Sequence, residues 1–303
     1  MNRVSVQKIE YSGWSNCLQM DNGLVRLIVT MDVGPRIILF ALQSAENIFY
    51  VHNPDKGLKG GDEWRLYGGH RLWHSPQVGF RPNQPDNDPV EYIQKDDALI
   101  LTGKTETATG IQKSMRIEMA TDAPKVRITH ELYNLNLWPV QLSVWALSAL
   151  RGGGVGVLPV PQRDTFYLPN YMLSFWPFTA PNDSRFIIGE KYFRFIHDPS
   201  NSKWFKIGLQ NPEGWGAYVV DDSLFIKKAA FYESETYPDY GANSEIFGDE
   251  KMFELETLSP LRTLEPGTSI YHEEEWYLYG NAAAPASDAD ISNNILPIVE
   301  VSV

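Results

Sequence analysis

An all-β fold with antiparallel strands is what this sequence predicts, and three observations predict it. Apolar residues recur with period two along most of the chain, chemically sensible turns separate the runs, and no stretch of ten or more residues carries 3.6-residue apolar spacing. Long antiparallel meanders of this kind pack as sandwiches or barrels.

The runs follow in order. Leu24 to Thr30 and Ile37 to Leu42 read as strands broken by Asp32-Val33-Gly34-Pro35. Val90 to Gln94, Ala98 to Thr105, Ile111 to Met119, Lys125 to Leu135 and Val140 to Leu150 continue the series, with Asp96-Asp97, Thr109-Gly110, Asp122-Ala123-Pro124 and Trp138-Pro139 between them. A second series covers Trp204 to Leu209, Trp215 to Val220, Leu224 to Ala230, Met252 to Leu258 and Ile270 to Tyr279, and Asn211-Pro212-Glu213-Gly214 supplies a hairpin turn. Two segments break the rhythm: Ser75 to Pro89, and Leu158 to Asp183 with Phe166, Tyr167, Tyr171, Phe175, Trp176 and Phe178. Loops this long in compact domains are often lids or binding loops, and these aromatics suit stacking on a sugar or capping the core.

The chain has 303 residues, 43% of them apolar, with Trp 9, Tyr 15 and Phe 14, enough for a large core. No composition shift divides it, so residues 1–280 are expected as one domain, with 281–303 a linker and tail packing on it. A net charge of −12 without a basic run argues against nucleic acid or an anionic membrane as partner. Cys17 alone excludes an internal disulfide and a cysteine-based zinc cage. The opening residues lack an apolar signal stretch, so a cytoplasmic location is expected.

The richest chemistry lies in Lys251-Met252-Phe253-Glu254-Leu255-Glu256-Thr257-Leu258. Alternation in a strand sets Phe253 and Leu255 on one face and Glu254 and Glu256 on the other, with the carboxylates roughly 7 Å apart at Cα on a wetter face. Upstream, Tyr237-Pro238-Asp239-Tyr240-Gly241-Ala242-Asn243-Ser244-Glu245 mixes hydroxyl, carboxylate and amide groups. Asp239, Asn243 and Glu245 are its candidate sugar contacts. Arg36 and Arg71 suit a planar bidentate partner, whereas Lys206 and Lys227 read as surface lysines with anion contact as the alternative. His130 shares a strand face with Val126, Ile128 and Leu132 and reads as a core residue.

The run Phe253-Glu254-Leu255-Glu256-Thr257, then Leu264-Glu265-Pro266-Gly267 and Tyr271-His272-Glu273-Glu274-Glu275-Trp276, resembles the C-terminal signature of the aldose 1-epimerases, or galactose mutarotases. Gly34-Pro35-Arg36-Ile37 and Gly68-Gly69-His70-Arg71-Leu72-Trp73-His74-Ser75-Pro76 are similar to that family's early hairpin and its Gly-Gly pocket segment. The resemblance spans roughly Leu24 to Gly280, and the likeness is to an outlying bacterial branch of the superfamily with no assigned function. It implies a large antiparallel β-supersandwich and a small-molecule carbohydrate ligand; no cofactor or metal is expected, with a metal on His70, His74 and Glu256 or Glu245 as the alternative. By its motif Glu256 is the catalytic base and His272 a structural histidine.

One departure bears on mechanism. Where the family has its acid histidine this chain reads Gln141-Leu142-Ser143-Val144-Trp145-Ala146-Leu147, with Trp145 near that position. An indole N–H only donates a hydrogen bond. His74, then His70, is therefore the expected acid, with Trp145 and Trp176 as ring contacts. Sugar binding without catalysis, and a hydrolase or lyase using Glu245 with Glu256, stand as alternatives.

Overall fold

The computed structural model describes residues 4–95 and 97–302. Residues 1–3, Asp96 in the turn read above and Val303 of the tail lie outside the described residues.

Two antiparallel sheets make up the molecule. The first has 11 strands, in the order Ser5–Tyr11, Trp14–Asp21, Val25–Thr30, Arg36–Leu42, His70–Ser75, Val140–Arg151, Met252–Leu258, Ser244–Gly248, Phe205–Leu209 and Leu173–Phe175, with Arg262–Leu264 paired to one end of Val140–Arg151. The second has 10, running Phe186–Ile188, Tyr192–Ile196, Val155–Pro159, Trp215–Val220, Ser223–Ala229, Ser269–Tyr279, Lys125–Asn134, Ile111–Met119, Ala98–Thr102 and Glu91–Lys95. This is the large β-sandwich expected from the period-two pattern.

Between the sheets, Trp276 packs against Phe40, Phe49 and Phe225 at ring separations of 5.8, 5.6 and 5.7 Å. Edge-on aromatic pairs of this kind add about 0.5–1.5 kcal/mol each beyond their area burial. Gly156 lets the Phe253 ring close in, since a Cβ there would lie 2.3 Å from it. The tail differs from an unstructured linker: Asp288–Val301 is helical throughout, and Ile291, Ile295 and Val299 pack on Val157, Tyr192 and Trp215. Its spacing of four puts those three side chains on one stripe. No helix among the described residues is long and apolar enough to cross a membrane.

Sheet register decides which side chains meet. Along Val140–Arg151, Leu147 opposes Arg71 on one side and Glu256 on the other, while Ser148 opposes His70 and Leu255. Directly opposed residues share a face, and successive residues alternate. Arg71, Trp73, Trp145, Glu254, Glu256 and Glu245 therefore project from the outer face of the first sheet, and His70, Leu72, His74 and Thr257 from the face turned to the second.

Candidate functional site

Five neighbouring strands build the outer-face group, from His70–Ser75 through Val140–Arg151, Met252–Leu258 and Ser244–Gly248 to Phe205–Leu209. Glu245 opposes Glu256 and Phe247 opposes Glu254, so the two central strands set their carboxylates side by side. Lys206 reaches in from the next strand: its Nζ lies 2.8 Å from Glu256 Oε2 and 2.7 Å from Glu245 Oε2. The same ammonium sits over the Trp145 ring at 4.4 Å and the Trp176 ring at 4.9 Å. Trp145 Nε1 donates to Glu256 Oε2 at 2.6 Å, and Arg71 Nη2 pairs with Glu254 Oε1 at 2.9 Å while lying over Trp73.

Asp239 closes the group from above. Its Oδ2 lies 3.5 Å from Ser75 Oγ, and its carbonyl accepts from Ser174 Oγ at 2.7 Å. Asp239 and Tyr240 both have left-handed backbone, with φ of 51° and 63°. Such strain in residues other than glycine persists only where surrounding contacts hold it, and it clusters at ligand-binding segments.

Burial shapes the charges. It pushes Glu245 well above the usual carboxylate range, with Glu256 and Asp239 adding to the effect and Lys206 opposing it. Burial also raises Asp239, against its hydrogen bond with Glu245 and the pull of Lys206, and raises Glu254 against the pull of Arg71. For Lys206 burial acts downward, but Glu245 and Glu256 outweigh it and keep the ammonium protonated.

Hydrogen-bonding capacity is left unspent in both senses. Glu256 Oε1 and Glu245 Oε1 are buried acceptors without a donor among the described residues, and Arg71 Nε and Nη1 are buried donors without an acceptor. Glu245 and Glu256 are both 0% exposed, so the face expected to be wet is roofed. The roof includes Trp176 and Ser174, from the long aromatic segment.

Several candidates lie elsewhere. His70 and His74 are fully buried on the opposite face, so neither is brought to Glu256, and the expectation that one of them is its acid partner is corrected by strand parity. His74 stands 3.5 Å from Glu106, which Lys113 also pairs. Arg36 donates to the carbonyls of Leu66 and Gly68 and to Asp86, bracing a loop. Asn243 exchanges both side-chain hydrogen bonds with the backbone of Asn211 and holds the hairpin turn. Lys206 and Lys227 are buried in ion pairs, not on the surface.

Behind the sheet lies a second polar group. Ser148 Oγ bonds His70 Nδ1 at 2.9 Å, His70 Nε2 meets His130 Nε2 at 2.7 Å, and His130 Nδ1 donates to the carbonyl of His272 at 3.0 Å. Because that carbonyl only accepts, His130 Nε2 is the acceptor and His70 Nε2 carries the proton. Glu274 accepts from Lys227, Thr257 and Trp276 Nε1, and His272 Nε2 bonds Thr257 Oγ1. His70, His130 and Glu274 have ligand atoms within 4.8 Å of one another, the spacing of a metal site. Each of those ring nitrogens and both Glu274 oxygens already have a protein partner, so the group forms a closed hydrogen-bond network.

No protein-family model matches the chain, and no curated protein does. Solved structures do. A galactose mutarotase-like protein from Clostridium acetobutylicum superposes with a TM-score of 0.54 at 12% identity, over 91% of this chain and 99% of that one. The fold is galactose mutarotase-like. A second galactose mutarotase-like protein, from Lactobacillus casei, gives 0.53 at 11% identity over 91% and 100%. A TPR-domain containing protein from Parabacteroides distasonis gives 0.58 at 15% identity, and this chain spans 49% of its length. The mutarotase-like architecture accounts for the two-sheet topology.

Proposed function

We propose that this mutarotase-like chain binds a carbohydrate on the outer face of its first sheet and exchanges the anomers of an aldose there. One observation carries the reading: buried acceptors on Glu256 and Glu245 and buried donors on Arg71 stand unsatisfied on one face, beneath tryptophan rings. A leftover buried polar atom is costly, and a sugar hydroxyl both donates and accepts. The flat C–H side of a pyranose fits an aromatic face.

Glu256 takes the proton of the anomeric hydroxyl through its free Oε1. The ring oxygen receives a proton from the Asp239 and Glu245 pair, whose raised affinity for protons leaves one to give. The ring opens, the C1–C2 bond rotates, and closure from the other face returns both protons. This needs no redox or nucleotide cofactor, since only protons move. Glu245 and Glu256 are closed to solvent, so entry requires the segment carrying Ser174 and Trp176 to lift.

Sugar binding without catalysis is a second reading. It is favoured by Trp145 and Lys206, which both spend themselves on Glu256 Oε2. The hydrolase or lyase reading has less support, because Lys206 Nζ stands between the two carboxylates that would flank a glycosidic bond.

Polarimetry and saturation-transfer NMR on a panel of aldoses test the proposal. Glu256→Gln is expected to keep sugar binding and to slow anomer exchange by about 10²–10⁴-fold, the contribution of a positioned base. Equal exchange rates for the two proteins would remove the catalytic claim. Binding with no exchange by the native protein would leave the second reading.

A further inference from the structure

Rings extend from the candidate site in two opposite directions. On one side Trp145 packs against Trp73 at 5.3 Å, and Trp73 against Trp64 at 6.2 Å. On the other, Phe247 meets Trp204 at 6.0 Å, and Trp204 meets Phe178 at 5.7 Å. Register fixes the directions: Trp145 opposes Leu258 and Phe247 opposes Glu254, two residues to either side of Glu256 along its strand. Three strand steps and four residues of rise separate Trp73 from Phe247, roughly 20 Å in all, which is longer than one sugar ring.

The inner rings Trp73 and Trp145 are buried, but the outer ones are not: Trp64 is 41% exposed, Phe178 44% and Trp204 56%. A single pyranose over Glu256 would leave these outer rings without a partner. These outer rings continue the buried ones out to solvent and offer flat apolar faces to a ligand. Their fit to a ligand with an apolar face and polar edges follows from the ring chemistry.

We propose that the ligand is an oligosaccharide. One unit sits over Glu256, and its neighbours stack on Trp64 at one end and on Trp204 and Phe178 at the other. The inference rests on the carbohydrate reading above and adds the length of the ligand to it.

Calorimetry with maltohexaose, cellohexaose and chitohexaose against their monosaccharides tests it. At least one hexasaccharide is expected to bind about tenfold or more tightly than its monosaccharide, the gain from one or two stacked rings. Trp64→Ala and Trp204→Ala should each lower that ratio, with melting curves confirming that the exposed substitutions leave the fold intact. Equal affinities for monomer and hexamer would overturn the extended surface and leave the sugar site standing, whereas no saturable binding of any saccharide would overturn both. A change in molar mass by light scattering, with the ratio unchanged, would assign the rings to a contact between copies of the chain and overturn the proposal.

Discussion

Trp145 Nε1 donates to Glu256 Oε2 across 2.6 Å, between two residues that both have 4% or less of their surface exposed. The residue near the position where the resemblance puts an acid histidine is thus bonded directly to the residue where it puts the base. The indole orients the carboxylate, and the free Oε1 is what remains for a ligand. Trp145→Phe keeps a ring against Trp73 but removes the donor, shrinks the ring under Lys206 and leaves a small void. A hydrogen bond to a charged group is worth about 1.5–3 kcal/mol, so urea unfolding should show a loss of that order. An unchanged midpoint would mean that the indole contact contributes nothing.

Lys206 carries more. It is the shared partner of two fully buried carboxylates, and removing one member of a buried ion pair costs about 3–5 kcal/mol. Lys206→Met should lower the urea midpoint accordingly. Adding Glu256→Gln should restore part of the loss, since it removes a carboxylate left without its cation. If the double variant is no more stable than the single, the two groups are not coupled as their geometry indicates.

Acid stability follows from the inner network. Burial, the leading cause in each case, holds His70, His130 and His272 below the ordinary histidine value of 6.5, His272 down to about 3. A histidine with a depressed folded value takes up a proton on unfolding. Its contribution is therefore present above pH 6.5 and lost as the pH falls from 6.5 towards 3. The raised carboxylates Glu245, Glu254 and Asp239 act in the opposite sense, and their contribution is lost as pH rises through their elevated values. NMR titration of the imidazoles should find all three still neutral just below pH 6.5, whatever the carboxylates contribute to Tm. Rings that titrate at 6.5 would show that the histidines are not held neutral.

Gly69 is required by close approach. It has φ of +72°, and a Cβ there would lie 2.2 Å from the carbonyl oxygen of Ile37. Gly153 has φ of +91° and nothing within 4 Å. Gly153→Ala should cost about 1–2 kcal/mol from backbone conformation alone. Gly69→Ala should cost clearly more, because rigid backbone must also move. Equal melting shifts for the two variants would contradict the crowding.

The longer central strands were legible from the sequence, whereas Ser5–Tyr11, Trp14–Asp21, Tyr192–Ile196 and the Glu245 strand Ser244–Gly248 were not, and the site was legible only in part. Met252–Leu258 has the expected bounds, and Glu254 and Glu256 share a face as period two requires. What covers that face was not legible, because the roof comes from residues some 80 positions away in the chain, Ser174 and Trp176 among them. Strand His70–Ser75 was hidden by Gly68, Gly69 and Pro76, which flank it. Even with that strand recognised, whether His70 or Arg71 faces Glu256 depends on pairing through Val140–Arg151, which local pattern does not encode. Lys206 looked like any charged residue on a strand. Its neighbours Phe205 and Ile207 both point inward, and only the distant glutamates explain a lysine buried on the other side. The tail helix left a readable trace in the spacing of Ile291, Ile295 and Val299, obscured by Pro297.

Glu256 and Thr257 are adjacent in the chain, yet one serves the lysine-bridged carboxylates and the other bonds Glu274 on the far side of the same sheet. An insertion or deletion of one residue in this strand would exchange the two, driving an anion into the dry interior and stranding a hydroxyl among the tryptophans. Descendants of this gene can therefore retune the chemistry here only by swapping side chains in place, and length variation should be confined to the connecting loops.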